Sequence, residues 1–294
     1  MGRRYWYGLT AAILSAVFFG FLPFTAIEAY REGLTPSALL FYRFGLSIPL
    51  IYLYTKYAGI NLAISAGDAR RVFLLVTAGT GITALLLFMS YQYISTGIAT
   101  VLHFSYAVFV LLGAALFFKE KLYAAHVLAV AMALGGAWLC IPWDGGGSLF
   151  GFAIALLSGV TYTFYILYMG HSSLRNMEAP KLALYICLMT APLLGLYSAA
   201  AGEFIIPETL RGWLYCMLSS FMGTTMGVCL FQYGVKLIGG TRASICSTME
   251  PITSLFLGIW LLGEQQTIET VAGTVMILAA VGITVWKDSQ KETK

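Results

Sequence analysis

The sequence predicts an all-α integral membrane protein: ten transmembrane helices in two inverted five-helix repeats, with both termini cytoplasmic. Three observations carry this. The chain of 294 residues is 59% hydrophobic and only 10% charged, whereas a soluble domain carries about 25% charged residues. Its apolar residues fall into ten runs, each close to the roughly 20 residues needed to cross a bilayer. And the second half repeats the first at a nearly constant offset. A mean hydropathy of +0.82 leaves too little polar surface to cover a water-soluble globule.

The runs are 8–29, 35–56, 72–93, 96–118, 122–142, 149–170, 179–201, 212–236, 241–262 and 268–286. The first follows Arg3 and Arg4, is too long for a signal-peptide core and lacks a clear cleavage site, so it reads as a retained helix. The second contains Arg43. Residues 57–71, with Asp68, Arg70 and Arg71, form the longest connection. The third run holds Gly79-Thr80-Gly81, the fourth His103 and Tyr106, the sixth a row of tyrosines, the eighth a GxxxG from Gly223 to Gly227, and the ninth Glu250-Pro251. The connections are short, no soluble domain fits between runs, and 287–294 reads as a cytoplasmic tail. With the termini inside, fourteen of the seventeen Lys and Arg fall on the inner side and only Arg31 and Arg211 outside, Arg43 being within a span. This asymmetry sets the orientation.

The repeat is visible in register. At an offset of 144, Glu120 matches Glu264, Ala99 matches Ala243, Gly79-Thr80 matches Gly223-Thr224 and Pro36 matches Pro180. At an offset of 143, "GLTAAILSAV" (8–17) matches "GFAIALLSGV" (151–160). The units are 8–142 and 149–286. Five spans is an odd number, so the second unit inserts upside down relative to the first. Inverted repeats typify secondary transporters, with the site near the midplane.

The stretches "SYQYISTGIATVLHFSYAVFVLLGAALFFKE" (90–120) and "GVKLIGGTRASICSTMEPITSLFLGIWLLGE" (234–264), each closing a fourth span on an acid, together with "YRF" at 42–44, resemble the drug/metabolite transporter superfamily, EamA type, over nearly the whole chain. The resemblance implies a basket of ten helices around a central cavity and transport of small metabolites, often amino-acid export. The chain departs from that pattern at Tyr106-Ala107, where Glu250-Pro251 stands in the second half and the family often has a proline.

Ionisable groups at membrane depth are expensive and mark function or pairing. At about 1.5 Å per residue, Glu250 lies about 14 Å from the inner start of its span, Arg43 about 12 Å and His103 about 10 Å from the outer starts of theirs. Glu250 is a candidate to bind a substrate amine or to carry a proton as coupling ion; its alternative is an ion pair with Arg43. Arg43 is either a brace, tied to backbone carbonyls or to Glu250, or a substrate contact. His103 is either a core histidine bonded to Ser247 or Tyr106, or a lining residue. Pro251 deprives the Ser247 carbonyl of its usual donor, and such carbonyls can bind ligands beside a cavity. Ser158, Tyr162, Tyr165 and Met169 share one helix face, matched in the first span by Ser15, Phe19 and Leu22. A wall of Tyr106, Tyr162 and Tyr165 suits ammonium groups through cation–π contacts. Tyr91, Tyr93 and Tyr168 read as interfacial belts. Gly79, Gly223 and Gly227 read as close helix contacts within the chain, and Glu120 and Glu264 as structural acids near the N-terminus of the next helix.

Other classes are excluded by what the sequence lacks. There is no basic stripe with interleaved aromatics for nucleic acid, no metal-type Cys or His spacing, and no HExxH, Gly-Lys-Ser or nucleophile elbow. "GTG" at 79–81 lacks the third glycine of a dinucleotide loop, and "GGG" at 145–147 reads as a turn. The five cysteines read as small buried hydrophobes. The expectation is a transporter without cofactor or metal, a monomer or weak dimer in the plasma membrane, whose partners are a small-molecule substrate, lipid and a proton. The competing class is a membrane receptor that binds a metabolite without moving it. The orientation predicts that, with the native cysteines replaced, Asn61→Cys reacts with an impermeant thiol reagent only after permeabilisation and Glu208→Cys reacts in intact cells.

Overall fold

The computed structural model describes residues 3–119, 123–141, 148–239, 243 and 246–292. Glu120, Arg242 and the "GGG" turn lie outside the described residues. Among the described residues the structure is helical, with no strand. Seven helical units are long and apolar enough to cross a membrane: Arg4–Arg31, Pro36–Tyr57, Ala66–Ser90, Thr96–Phe118, Leu149–His171, Ala179–Ala200 and Leu210–Ile238. Three shorter apolar helices, Ala124–Leu139, Met249–Leu262 and Ile268–Ile283, fall in the remaining hydrophobic runs.

Several units are built from two helices. The first is α1 (Arg3–Gly20) and α2 (Leu22–Arg31), with Pro23 in the first turn of α2. α3 is Pro36–Tyr57. The third unit is α4 (Ala66–Leu75), a π-helical turn at Val76–Thr80, and α5 (Gly81–Ser90). The fourth is α6 (Thr96–Phe104) and α7 (Tyr106–Phe118), separated at Ser105. α8 (Ala124–Leu139), α9 (Leu149–His171) and α10 (Ala179–Ala200) follow. The eighth is α11 (Leu210–Leu218), a π-helical segment at Ser219–Met226, and α12 (Gly227–Ile238). α13 is Met249–Leu262 and α14 is Ile268–Glu292.

Three expectations about elements are corrected. The connection 57–71 is shorter, because α4 begins at Ala66. The Ser65 side chain accepts from the Asp68 amide at 3.0 Å and caps it, so helix runs through the charged residues that end the hydropathy run. The fourth run breaks at Ser105 although no proline stands there. The ninth run is not one helix with a proline near its middle. Helix restarts at Met249, so Pro251 occupies the first turn of α13, where a missing N–H leaves no intrahelical bond unmade.

The helices pack in pairs that join the two halves of the chain: α1 with α12, α5 with α9, α3 with α10, α6 with α13, and α8 with α14. Glycine sets the closest approaches. A Cβ on Gly136 would lie 2.6 Å from the Gly273 carbonyl oxygen, and one on Gly273 would lie 2.5 Å from that of Gly136, so α8 and α14 touch backbone to backbone. A Cβ on Gly223 would meet Leu22 at 2.5 Å and one on Gly227 would meet Phe19 at 3.0 Å. The Ser15–Phe19–Leu22 face therefore packs on the eighth unit.

Charge and loops distinguish two ends. One, the basic end, carries Lys56, Arg70, Arg71, Arg175 and Lys181; the acidic end carries Glu28, Glu32, Glu203, Glu208 and Glu264. The largest apolar core draws on residues from α2, α3, α5, α6, α8, α9, α10, α11 and α14, among them Ala26, Leu39, Phe88, Ala99, Leu194, Cys216 and Ile277. The acidic end is further tied by Thr35 Oγ1 to the Glu203 carbonyl (2.8 Å), Ser37 Oγ to Glu203 Oε2 (2.9 Å) and Thr209 Oγ1 to Glu32 Oε2 (2.5 Å). Toward the basic end the core of described residues divides into further clusters, one of them Val108, Ala129, Ala133 and Ala280. One cluster joins Val72, Leu75, Val76, Leu174, Leu182 and Ile186. Another joins Ala12, Ile238, Ala243 and Cys246. These two share no helix.

The glycine contacts yield a paired expectation. Gly136→Ala forces a methyl against a backbone oxygen and lowers stability by about 1–3 kcal/mol. Gly45→Ala, whose Cβ would meet only Ala191 Cβ at 4.0 Å, is neutral or stabilising by up to about 1 kcal/mol from helix propensity. Thermal unfolding of the two variants in detergent separates them.

Candidate functional site

The two interrupted units place two helix N-termini deep inside the bundle. α7 starts at Tyr106 and α13 at Met249, with Glu250 in its first turn. A carboxylate there is favoured by the unsatisfied amides and dipole of the helix start. The interruption also brings chains close: a Cβ on Gly20 would lie 2.8 Å from the Glu250 carbonyl, and one on Gly159 would lie 3.0 Å from the His103 carbonyl. The bends of the first and ninth units thus meet, and α9 meets the bend of the fourth.

Four of the sequence candidates form one aromatic cluster. The His103 ring centroid lies 5.5 Å from that of Tyr106 and 5.2 Å from that of Tyr162. Tyr106 and Tyr162 meet edge to face at 4.7 Å, and Tyr162 stacks on Tyr165 at 5.2 Å. Tyr165 is seated on Gly79, where a Cβ would lie 3.0 Å from its own Cβ. Gly79 has φ −119° and ψ −105°, outside helical values, within the π turn. The hydrogen-bond partner of His103 is Ser158, Nδ1 to Oγ at 2.9 Å, rather than Ser247 or Tyr106. Ser158 gives its hydroxyl hydrogen to the Ala155 carbonyl at 2.6 Å. A hydroxyl has one hydrogen to donate, so Nδ1–H of His103 is the donor and Nε2 is left as an acceptor. Ser247 lies before the break and donates to the Ala243 carbonyl at 3.2 Å.

Arg43 is buried, at 9% exposure. Its Nε donates to Thr224 Oγ1 at 3.1 Å, and its guanidinium carbon lies 5.3 Å from the ring centroids of both Phe44 and Phe88. One turn on, Ser47 and Ser220 share a hydrogen bond at 2.7 Å. Thr224 and Ser220 both belong to the π segment Ser219–Met226. The ion pair that stood as the alternative reading of Glu250 and Arg43 does not form. Among the described residues the ion pairs are Arg31–Glu28 and Arg71–Asp68, both near the bundle ends.

Glu250, Tyr106, Tyr162 and Tyr165 are each half-buried and keep some accessible surface. A separate groove of about 370 Å³, lined by Phe41, Pro192, Gly195, Leu196, Ala199 and Phe204, lies between α3 and α10 and contains no ionisable side chain.

Two placements differ from the sequence reading. Tyr91, expected at the interface, is buried beside Thr100 and within Coulombic range of Arg43 and Glu250. Glu264 acts across the bundle rather than on the helix that follows it. Its Oε1 accepts from the Thr96 amide at 2.7 Å and so caps α6, while Gln266 Nε2 donates to Ser95 Oγ at 3.3 Å. Thr224, Ser220 and Phe88 were absent from the sequence candidates. The spacing of Thr224 from Gly223 marks the π segment, but nothing in the sequence aims that threonine at Arg43. Among the described residues no group of His, Cys, Asp and Glu could hold a metal ion.

An all-helical multi-pass bundle with interrupted helices, a lone acid and a lone base inside defines a membrane transport protein in class. The chain belongs to the EamA-like transporter family, which matches it twice, over residues 6–141 and 149–286. Relatives similar to it include an uncharacterized transporter of Archaeoglobus fulgidus, 28% identical over 93% of this chain and 97% of the relative. The uncharacterized transporter YdfC of Bacillus subtilis is 22% identical over 90% of this chain and 86% of its own length. One solved crystal structure has the same fold, with a TM-score of 0.70 at 14% identity, covering 97% of this chain and 98% of that one.

The missing ion pair predicts a mild phenotype. Breaking a buried ion pair costs about 3–5 kcal/mol. Glu250→Gln breaks none, so its effect on apo stability stays under about 1 kcal/mol, measured as the unfolding midpoint in detergent.

Proposed function

We propose that this protein carries a small amine-bearing metabolite, an amino acid in the first instance, out of the cell across the plasma membrane by alternating access. The observation that supports this most is Glu250: a half-buried carboxylate in the first turn of α13, without an ion-pair partner among the described residues, at the position that corresponds by the repeat to Tyr106 of the tyrosine cluster. An ammonium ion there gains a countercharge and aromatic faces in a site with little water. The reading includes ten spans in two inverted repeats, 8–142 and 149–286, with both termini and the basic end in the cytoplasm.

The packing supports a cytoplasm-facing state. The core is continuous at the acidic end and divided between helix sets at the basic end. Exchange of these two conditions, sealing the basic end and parting the acidic one, is the rocking motion that inverted repeats support. Nothing in the chain encodes ATP use, and Glu250 is the group we assign to proton coupling.

The test is thermal stabilisation by amino acids and organic amines, followed by flux in proteoliposomes. A ligand at 100 times its Kd stabilises by about 2.7 kcal/mol, which raises the midpoint by a few degrees. Amine-bearing ligands should give this shift in wild type and lose it in Glu250→Gln, and an imposed pH gradient should alter wild-type flux but not residual flux of the variant. Flux indifferent to the gradient removes proton coupling. Stabilisation without any flux favours the receptor.

A further inference from the structure

Arg43 holds more hydrogen-bonding capacity than the fold uses. A guanidinium carries five N–H donors and stays charged in a protein. One donor, Nε–H, goes to Thr224 Oγ1. The rings of Phe44 and Phe88 flank the group and fix its position. Its four Nη hydrogens meet no hydrogen-bond acceptor among the described residues, and no carboxylate lies within ion-pair distance. A brace would show the reverse: Nη bonds to carbonyls, or a closed pair with Glu250. Glu250 is in the complementary condition, a carboxylate with neither a hydrogen bond nor an ion pair among the described residues, and the bend of the first unit lies against both sites: a Cβ on Gly20 would lie 2.8 Å from the Glu250 carbonyl, and Leu22 packs on Gly223 beside the Thr224 that holds Arg43. Two opposite charges are thus held inside one bundle, near each other and uncombined.

We propose that Arg43 and Glu250 form a two-point site for a zwitterion. Arg43 takes the substrate carboxylate end-on through Nη1 and Nη2, because its Nε edge is occupied by Thr224. Glu250 takes the ammonium group. The substrate side chain then extends toward Tyr106, Tyr162 and His103, which pack together. This rests on the amine reading of Glu250 and adds to it a carboxylate requirement and the residue that imposes it. Bidentate guanidinium–carboxylate contact is geometrically demanding, so lysine at position 43 restores the charge without the fork.

The experiment measures competition for binding to the purified full-length protein by two sets of compounds: phenylalanine, phenethylamine and 3-phenylpropionate; alanine, ethylamine and propionate. Wild type should prefer the amino acid over both its decarboxylated and its deaminated analogue by tenfold or more in at least one set. Arg43→Gln should abolish the preference over the amine and keep the preference over the acid, with Arg43→Lys intermediate. Glu250→Gln should do the opposite. A wild type that binds the amine as well as the amino acid, with both lost in Glu250→Gln, overturns the zwitterion site and leaves the amine reading intact. An Arg43→Gln variant that keeps the wild-type preference also overturns it, making Arg43 a brace. Binding of none of the six overturns both readings together. Where Arg43→Gln fails to fold, the wild-type ratio of amino acid to amine decides alone.

Discussion

The constraint on which this structure depends is the satisfaction of backbone polar groups away from water. A spanning chain meets it by unbroken helix, as α9 does, while α3 and α10 run on past internal Pro49 and Pro192. The fourth and ninth units do not. They stop and restart at Ser105 and Thr248 and so present helix N-termini inside the bundle. The third and eighth units depart differently, through π-helical turns that contain Gly79 and Gly223. Wide turns of this kind are frequent at functional sites. Here they seat Tyr165 on one side and aim Thr224 and Ser220 at α3 on the other. Irregular backbone is tolerated at such depth where protein surrounds it or a cavity adjoins it, and at Glu250 the bend of the first unit packs directly on the restart of α13.

The two halves use similar backbones for different chemistry. Tyr106 and Glu250 stand at corresponding starts of α7 and α13, one aromatic and one acidic. The arginine of α3 matches Cys187 of α10 by the repeat offset. Corresponding positions of the two halves therefore carry different side chains, a charge in one and an uncharged group in the other.

Much of this was legible in the sequence, and the illegible parts share a cause. Hydropathy runs locate the helices, and the clustering of His103, Tyr106, Tyr162 and Tyr165 follows from helical spacing on α9 together with depth on the fourth unit. The break at Ser105 carries no proline and no glycine at its own position, so no local signal announces it. Tyr91 resembles an interfacial tyrosine by its place near a span end, and only tertiary packing buries it. The Glu264 contact with Thr96 joins residues 168 apart, beyond any local rule. Opposite charges at similar depth leave an ion pair between Arg43 and Glu250 open as one alternative, and depth says nothing of lateral position: Thr224, Phe44 and Phe88 hold the guanidinium in place without the carboxylate.

The reciprocal contact of Gly136 and Gly273 bears on how such a molecule changes shape. Most helix pairs meet through layers of side chains, which can change rotamer and let one surface slide over another. Two backbones in direct contact have no such compliant layer. The join between α8 and α14 is consequently a seam with no side-chain layer to repack, so any displacement of one helix along the other must move backbone against backbone.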